Sequence, residues 1–259
     1  MKKQQILILA VAALLVAGLY SLPRVVVENE TDTEVEAHDF SVSDADSEAI
    51  ASLRASLDEE KSGKRLIFAD SLARLYLKYG FADSAYSVVK AQMLGDSSLN
   101  TLAYAAPLLY TLYERAMTPD QAVARAAEAR SALEALLESN PENPSVKTKL
   151  AMTMVTTDRP MVGIQMLREV LDQYPENREA IINLGLLSIR SGQFGRGVER
   201  FKDALRIDST DHEAMLFLGV CYQELQQGDS AQYWYKKITV AENADPAIQA
   251  AAVEYLEEN

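Results

Sequence analysis

One short pattern recurs along the second half of the chain at a fixed interval of 34 residues. Residues 140–143 read Asn-Pro-Glu-Asn, and residues 174–177 read Tyr-Pro-Glu-Asn. Asp-Ser-Thr-Asp at 208–211 and Glu-Asn-Ala-Asp at 242–245 continue the same interval. Between these turns the apolar residues fall at the spacing of two amphipathic helices. A fixed period of this length predicts a stack of helix pairs, in which each pair buries its apolar face against the next.

Alignment of the units places small residues and large apolar residues in separate columns. The small columns contain Ala73, Ala151, Gly185 and Gly219, and twelve residues further on Ala85, Gly163, Gly197 and Ala231. A large apolar column contains Val89, Leu133, Leu167, Phe201 and Tyr235, if a ten-residue insertion lies in the second unit. Paired helices approach closely only where the side chains between them are small. Glycine costs about 1 kcal/mol inside a helix, so its recurrence here indicates a steric requirement.

These columns resemble the tetratricopeptide repeat, and the resemblance covers about residues 65–245. The unit that fits best begins Ile181-Ile182-Asn183-Leu184-Gly185 and continues through Phe194, Gly197 and Phe201. Lys147 and Ser188 depart from the pattern, because the family has a bulky apolar residue and an aromatic residue at these positions. The resemblance implies an all-α fold, a right-handed α-solenoid of tetratricopeptide-like helix pairs, here preceded by an N-terminal transmembrane helix.

Five helix pairs are expected, at 65–95, 97–143, 144–177, 178–211 and 212–245. A leading helix over 43–60 and a closing helix over 246–258 would cover the two ends of the stack, as a helical array requires. Thr118 followed by Pro119, with Gln121 three residues after the threonine, is typical of a helix start. Pro107 falls inside the first helix of the second unit, where a proline kinks or ends a helix.

The N-terminal residues 1–24 read as a membrane anchor or as a signal peptide. Lys2 and Lys3 precede a stretch of 17 residues, Ile6 to Leu22, that contains no charge. This length is at the short end of the roughly 17–25 residues that span a bilayer as a helix. Lysines before the stretch predict a cytoplasmic N-terminus and a translocated remainder, which in a bacterium is periplasmic. A cleaved signal peptide remains the alternative.

Residues 25–47 read as an acidic disordered tether, and residues 48–259 as the repeat domain. Nine acidic residues and no Lys or Arg lie between Glu28 and Glu48. Such a segment cannot bury enough apolar surface to offset chain entropy. The net charge of the whole chain is −13, and an acidic surface repels phosphate backbones, so no nucleic-acid partner is expected.

The sequence offers no recognisable catalytic, cofactor or metal site. His38 and His212 are the two histidines, and neither has a cysteine or a paired carboxylate at ligand spacing. The single cysteine, Cys221, reads as a small residue of the core. Gly192, Gly195 and Gly197 follow a predicted helix rather than a strand, which disfavours a nucleotide-binding turn. We therefore expect neither an enzyme nor a bound cofactor.

The first helices of the pairs are expected to line an unusually apolar groove that binds a segment of a partner protein. The residues assigned to this groove are Met152, Val155, Ile182, Leu186, Ile189, Arg190, Leu216 and Val220. The competing interpretation is that neighbouring helices or a second copy of the chain already cover this stripe. Lys149 and Asn183 are isolated, so the carboxylate clamp known in part of the family is not expected.

The resulting hypothesis is a membrane-tethered, extracytoplasmic scaffold that binds a partner protein through its repeats. Two alternatives stay open at this point. One is a structural component that self-associates as a homo-oligomer, and the other is an assembly chaperone for envelope proteins.

Overall fold

The computed structural model describes residues 42–60, 64–94 and 96–257, and all regular structure within these ranges is helical. The helices are α1 (Asp44–Glu59), α2 (Arg65–Lys78), α3 (Ala82–Met93), α4 (Leu99–Glu114), α5 (Pro119–Ser139), α6 (Pro144–Met154), α7 (Pro160–Gln173), α8 (Arg178–Arg190), α9 (Phe194–Ile207), α10 (His212–Glu224), α11 (Gly228–Thr239) and α12 (Pro246–Glu257). Each of the five predicted units contains one helix pair. The predicted anchor, 1–24, and most of the predicted tether lie outside the described residues.

The recurring turns of the sequence are the N-caps of the first helices. The Asn143 side chain accepts hydrogen bonds from the amides of Ser145 and Val146 and so starts α6. Asn177 starts α8 by accepting from the Ala180 amide at 2.8 Å, and Asp211 starts α10 in the same way. These side chains satisfy amides that have no partner inside the helix, which explains why Asn or Asp recurs at this interval.

The leading helix begins where the sequence predicted it, within 43–60, and so overlaps the last residues of the predicted tether, 25–47. The Ser43 hydroxyl accepts from the Asp46 amide at 3.2 Å, and α1 starts at Asp44. Asp44 and Asp46 lie in the first turn, where a negative charge is favourable. Residues 44–47 are therefore helical, and the acidic composition that indicated a tether here is that of a helix N-terminus.

The ten-residue insertion of the second unit lengthens the two helices of that unit. Helix α5 has 21 residues, whereas the other second helices, α3, α7, α9 and α11, have 12 to 14. The Thr118 hydroxyl accepts from the Gln121 amide at the start of α5, as the sequence predicts. Helix α4 continues across Pro107, and the Thr111 hydroxyl donates to the Pro107 carbonyl.

The columns of the repeat form the core. All five residues of the large apolar column are at most 1% exposed. A Cβ added to Gly185 would lie 2.6 Å from the ring of Phe201 on the paired helix, and one on Gly219 would clash in the same way with Tyr235. The small residues are therefore required because large side chains of the second helices lie directly against the first helices.

The buried apolar residues form three clusters between α1 and α12, and half-buried residues connect one cluster to the next. Leu57 of α1 is buried with residues of α2, and the half-buried Leu171 joins the N-terminal part of the core to the part formed by α8 to α10. At the other end, Tyr255 of α12 stacks on Tyr235 with ring centroids 5.1 Å apart. Both end helices therefore cover apolar surface, which was their predicted role.

Candidate functional site

The first helices, α2, α4, α6, α8 and α10, form one side of the stack, which we call the first-helix face. Helix α2 contacts α4, α6 contacts α8, and α8 contacts α10. The second helices, α3, α5, α7, α9 and α11, form the opposite side. The first-helix face is where the sequence placed an apolar groove.

Three of the seven apolar residues assigned to that groove belong to the interior, and the other four are half-buried. Met152, Ile182 and Leu216 are 8%, 5% and 9% exposed, and each lies in the core. Leu186 and Val220 are half-buried. The competing interpretation, that neighbouring helices cover this stripe, therefore describes most of it.

Two further groove residues turn toward their own paired helices. A methyl group of Val155 lies 3.0 Å from the Cβ position of Gly163 on α7, and Ile189 contacts the corresponding position of Gly197 on α9. The missing side chains of these glycines leave the room that the two residues occupy. Arg190 is the exposed member of the predicted set. These residues therefore do not form an open apolar groove. Their role in partner binding stays a prediction.

The first-helix face instead carries a polar group to which four successive first helices contribute. We call it the Glu114 cluster: Tyr110 and Glu114 of α4, Lys149 of α6, Glu179 of α8 and Glu213 of α10. The Lys149 ammonium lies 2.5 Å from a Glu179 carboxylate oxygen and 5.7 Å from the centre of the Tyr110 ring. The Tyr110 hydroxyl and the Glu114 carboxylate interact, and each shifts the pKa of the other.

Glu114 is the electrostatic centre of this cluster. It is accessible to solvent, yet protein surrounds it on several sides, as expected for a residue in a groove. Partial desolvation raises the pKa of Glu114 above its ordinary value, and the like charges of Glu179 and Glu213 add to the rise. The neighbouring Tyr110 hydroxyl and the charge of Lys149 oppose the rise without cancelling it. A carboxylate in this situation gains stability from an added cation.

Tyr113, whose ring packs on that of Tyr110, is fixed by a contact to the backbone of α6. The Tyr113 hydroxyl donates to the Met152 carbonyl at 3.3 Å, and the Arg130 guanidinium donates to the Thr153 carbonyl at 2.7 Å. The rings of Tyr110 and Tyr113 pack edge to face at 5.6 Å. Burial raises the pKa of Tyr110 well above its ordinary value, so its hydroxyl stays protonated beside Glu114.

An ion pair between successive units fixes the far side of the cluster. Arg178, at the start of α8, binds both carboxylate oxygens of Asp211 at 2.5 and 2.7 Å. The same guanidinium lies 2.6 Å from Glu213. Hydrogen bonds to Asp211 and then to Glu213 raise the pKa of Arg178, so its charge is permanent. This bidentate pair sets the position of α10 against α8, and thereby the position of Glu213.

Comparison with known proteins agrees with this architecture. Residues 188–253 match the family model described as tetratricopeptide repeat. A tetratricopeptide repeat protein from Parabacteroides merdae ATCC 43184 superposes with a TM-score of 0.57 at 15% identity, over 86% of this chain and 85% of that one. The chain has a tetratricopeptide-repeat fold. No curated protein matches it in sequence.

Two more solved structures share the tetratricopeptide-repeat fold of this chain. A thermophilic tetratricopeptide-repeat protein from Thermus thermophilus has a TM-score of 0.55 at 15% identity and covers 74% of this chain and 99% of its own. PilW, a type IV pilus biogenesis factor, has a TM-score of 0.53 at 14% identity and covers 79% of this chain and 90% of its own. At these identities the likeness concerns the fold alone.

The Glu114 cluster was missed in the sequence because Tyr110 and Glu114 lie in the irregular second unit. The insertion and Pro107 obscure the register of α4 there. The signal that could have revealed the pair is the spacing of four residues between Tyr110 and Glu114, which places both on one face of a helix.

Cys221 has the properties of a core residue of the tetratricopeptide-repeat fold. Its side chain is fully buried, and burial raises the pKa of its thiol to about 12. A protonated, inaccessible thiol is neither a nucleophile nor a metal ligand. Across the ranges that the structure covers, no three His, Cys, Asp or Glu residues lie close enough together to hold a metal ion.

Proposed function

We propose that this protein is an interaction scaffold that binds a segment of a partner protein on its first-helix face. The observation that carries this proposal is the Glu114 cluster, in which four helices hold a partly desolvated carboxylate beside two further carboxylates. The tetratricopeptide-repeat fold supports a binding role, because the repeat stack presents an extended surface on preformed helices. We propose binding without catalytic turnover.

The partner segment is inferred from the charge at the centre of the site. Glu114 is held near Glu179 and Glu213, and Lys149 is already bound by Glu179. A lysine or arginine of the partner would compensate the partly desolvated charge of Glu114 and form a charge-assisted hydrogen bond with it. The rings of Tyr110 and Tyr113 pack on each other next to this carboxylate.

Photo-crosslinking in cells tests the location of the binding surface. A photoreactive residue in place of Arg190 lies on the first-helix face, and one in place of Tyr233, which is 60% exposed on α11, lies on the opposite side. We expect an adduct with a partner from position 190 but not from position 233. The adduct should be lost when Glu114→Lys is added and retained with Glu134→Lys, an exposed position on α5. Equal adducts from both positions, or no effect of Glu114→Lys, would contradict the proposal.

The pH dependence of binding tests the role of Glu114. Because a cationic partner binds the ionised carboxylate, affinity should fall as the pH is lowered through the raised pKa of Glu114. In the Glu114→Gln variant this fall should disappear, and the affinity should be low at every pH. Calorimetry with the captured segment as a synthetic peptide measures both curves, and identical curves would refute the assignment of Glu114.

We also propose that residues 1–24 tether the scaffold to a membrane, with the repeats on the extracytoplasmic side. The support is the uncharged stretch from Ile6 to Leu22 after two lysines. Within the described ranges, no helix combines the length and apolar composition that crossing a bilayer requires. The full chain should remain in membranes washed with carbonate, and a chain without residues 2–24 should be released. An intact mass that lacks this stretch would indicate the signal-peptide alternative.

A further inference from the structure

A cavity of about 330 Å³ opens between α7 and α9, on the side of the second helices, and ends against the last turns of α8. Its apolar wall consists of Ile164, Leu184 and Leu187, and Ser188 lies among them. The Ser188 hydroxyl is turned back to donate to the Leu184 carbonyl at 2.7 Å. We call this cavity the Ser188 pocket. Its volume falls within the roughly 300–1,000 Å³ of ligand sites.

The next unit carries aromatic side chains at the positions equivalent to two residues of this pocket. Thirty-four residues beyond Ser188 stands Tyr222, and thirty-four beyond Arg200 stands Trp234. Both rings are half-buried and pack against the core, so they fill the corresponding position. In the unit that contains Ser188 a hydroxymethyl group and a guanidinium replace these two rings. The Ser188 pocket is therefore the space left by missing aromatic side chains.

The unit that contains Ser188 keeps the basic residue that lies over the aromatic ring in the next unit. Lys202 lies 5.6 Å over the ring of Tyr222, and the residue equivalent to Lys202 is Arg168, which lines the Ser188 pocket. Among the described residues Arg168 has no hydrogen bond or ion pair. Its guanidinium is thus available to a ring that enters the pocket.

The entrance to the pocket is positively charged. Arg168, Arg196 and Arg200 all line it, and Glu199 is its one acidic residue. Arg196 donates to the neutral Gln193 side chain, and Arg200 reaches Asp203 at the long distance of 4.0 Å. On a chain of net charge −13 this group of three arginines is a local exception that favours an acidic ligand.

We propose that the Ser188 pocket binds an aromatic side chain carried by an acidic segment of a partner protein. The ring takes the place of the missing aromatic column, against Ile164, Leu184 and Leu187. The guanidinium of Arg168 lies over its face, and carboxylates beside the aromatic residue pair with Arg196 and Arg200. The site differs from the Glu114 cluster in position and in sign, since that cluster takes a cation on the opposite side of the stack.

Titration of the full chain with short peptides, followed by nuclear magnetic resonance, tests this site. The probe is an acetylated pentapeptide with one tyrosine between pairs of acidic residues. Matched peptides replace the tyrosine by leucine or the acidic residues by lysine. We expect shifts of amide signals in 164–168 and 188–200 with the first peptide, and affinities at least about tenfold lower with the other two. The absence of shifts with the first peptide, or equal affinity for the leucine peptide, overturns the proposal.

Variants separate filling of the pocket from damage to the fold. Ser188→Tyr restores the aromatic column and should abolish binding while the melting temperature stays the same or rises. Ser188→Ala keeps the cavity open and should keep the affinity within about twofold, while Arg168→Gln should weaken binding roughly tenfold. Arg206→Gln, an exposed arginine outside the pocket, is the matched control and should bind as the parent does. Unchanged binding by both Ser188→Tyr and Arg168→Gln refutes the assignment.

Discussion

Close contact between helices in this protein depends on single missing side chains. Gly163 of α7 faces the backbone of α6 so closely that an added Cβ would overlap the Ala151 carbonyl oxygen. Gly197 faces Cys221 of the following unit, where an added Cβ would lie 2.6 Å from the sulfur atom. The first contact is within a pair and the second is between units. Glycines therefore set both the distance between the two helices of a pair and the distance between neighbouring pairs.

The substitution Gly163→Ala should destabilise the protein by about 1–3 kcal/mol, the usual cost of overfilling a packed interior. A backbone oxygen cannot move aside as a flexible side chain can, so the whole helix must shift. Gly195→Ala is the control, because nothing lies within 4 Å of its Cβ position, and its effect should stay within about 1 kcal/mol. Urea denaturation measures both. Equal effects of the two substitutions would show that helix propensity, rather than contact, explains the glycine columns.

At the scale of the helices, Asp211 combines two roles that the other units keep apart. It caps α10 as Asn143 and Asn177 cap α6 and α8, and it also binds Arg178 of the preceding unit. Its side chain is 3% exposed, so its charge is shielded from water and compensated by the guanidinium. The position of one helix pair against the next therefore depends on one carboxylate.

Asp211→Asn should retain the cap and lose the ion pair, at a cost of about 1.5 kcal/mol or more in the free energy of unfolding. Asp211→Ala loses both and should cost a further 0.5–2 kcal/mol, approximately the value of an N-cap. Thermal or urea unfolding in the parent and in Arg178→Gln backgrounds measures the coupling. If Asp211→Asn costs the same in both backgrounds, the ion pair does not stabilise the contact between units.

At the scale of the whole molecule, stability is expected to depend on contacts between neighbours, because each pair packs only on the adjacent pairs. The C-terminal cluster of the core contains buried residues from Met215 to Ala252, and Leu205 of α9 packs against it. Ala252 of α12 is fully buried there, while Val253, the next residue, is 43% exposed. The same substitution can therefore be made at a buried and at an exposed position of the closing helix, so that the second serves as the control.

Ala252→Asp should displace α12 because an unpaired carboxylate would be buried. Hydrogen exchange should then become faster across residues 212–257 and stay unchanged across α2 to α5. Val253→Asp adds the same charge at an exposed position and should leave exchange unaltered throughout. A uniform loss of protection along all the pairs would show that the stack unfolds as one unit.

The sequence alone determined the repeat architecture of this protein, because its period, its small columns and its caps are local patterns read directly from residue order. The five helix pairs, the leading helix and the closing helix follow from those patterns. Even the departure at Ser188 was visible, although the cavity it leaves was not.

Only the tertiary structure decided which residues are available to a partner. Helical periodicity gives the direction of a side chain around its own axis but not how far neighbouring helices cover it, so Met152 and Ile182 read as surface yet lie inside. The Glu114 cluster could not be read in advance either, since its members come from four helices that are far apart in sequence. Their proximity, and the raised pKa of Glu114 that follows, arises only when successive pairs stack and bring like charges together in a partly desolvated space.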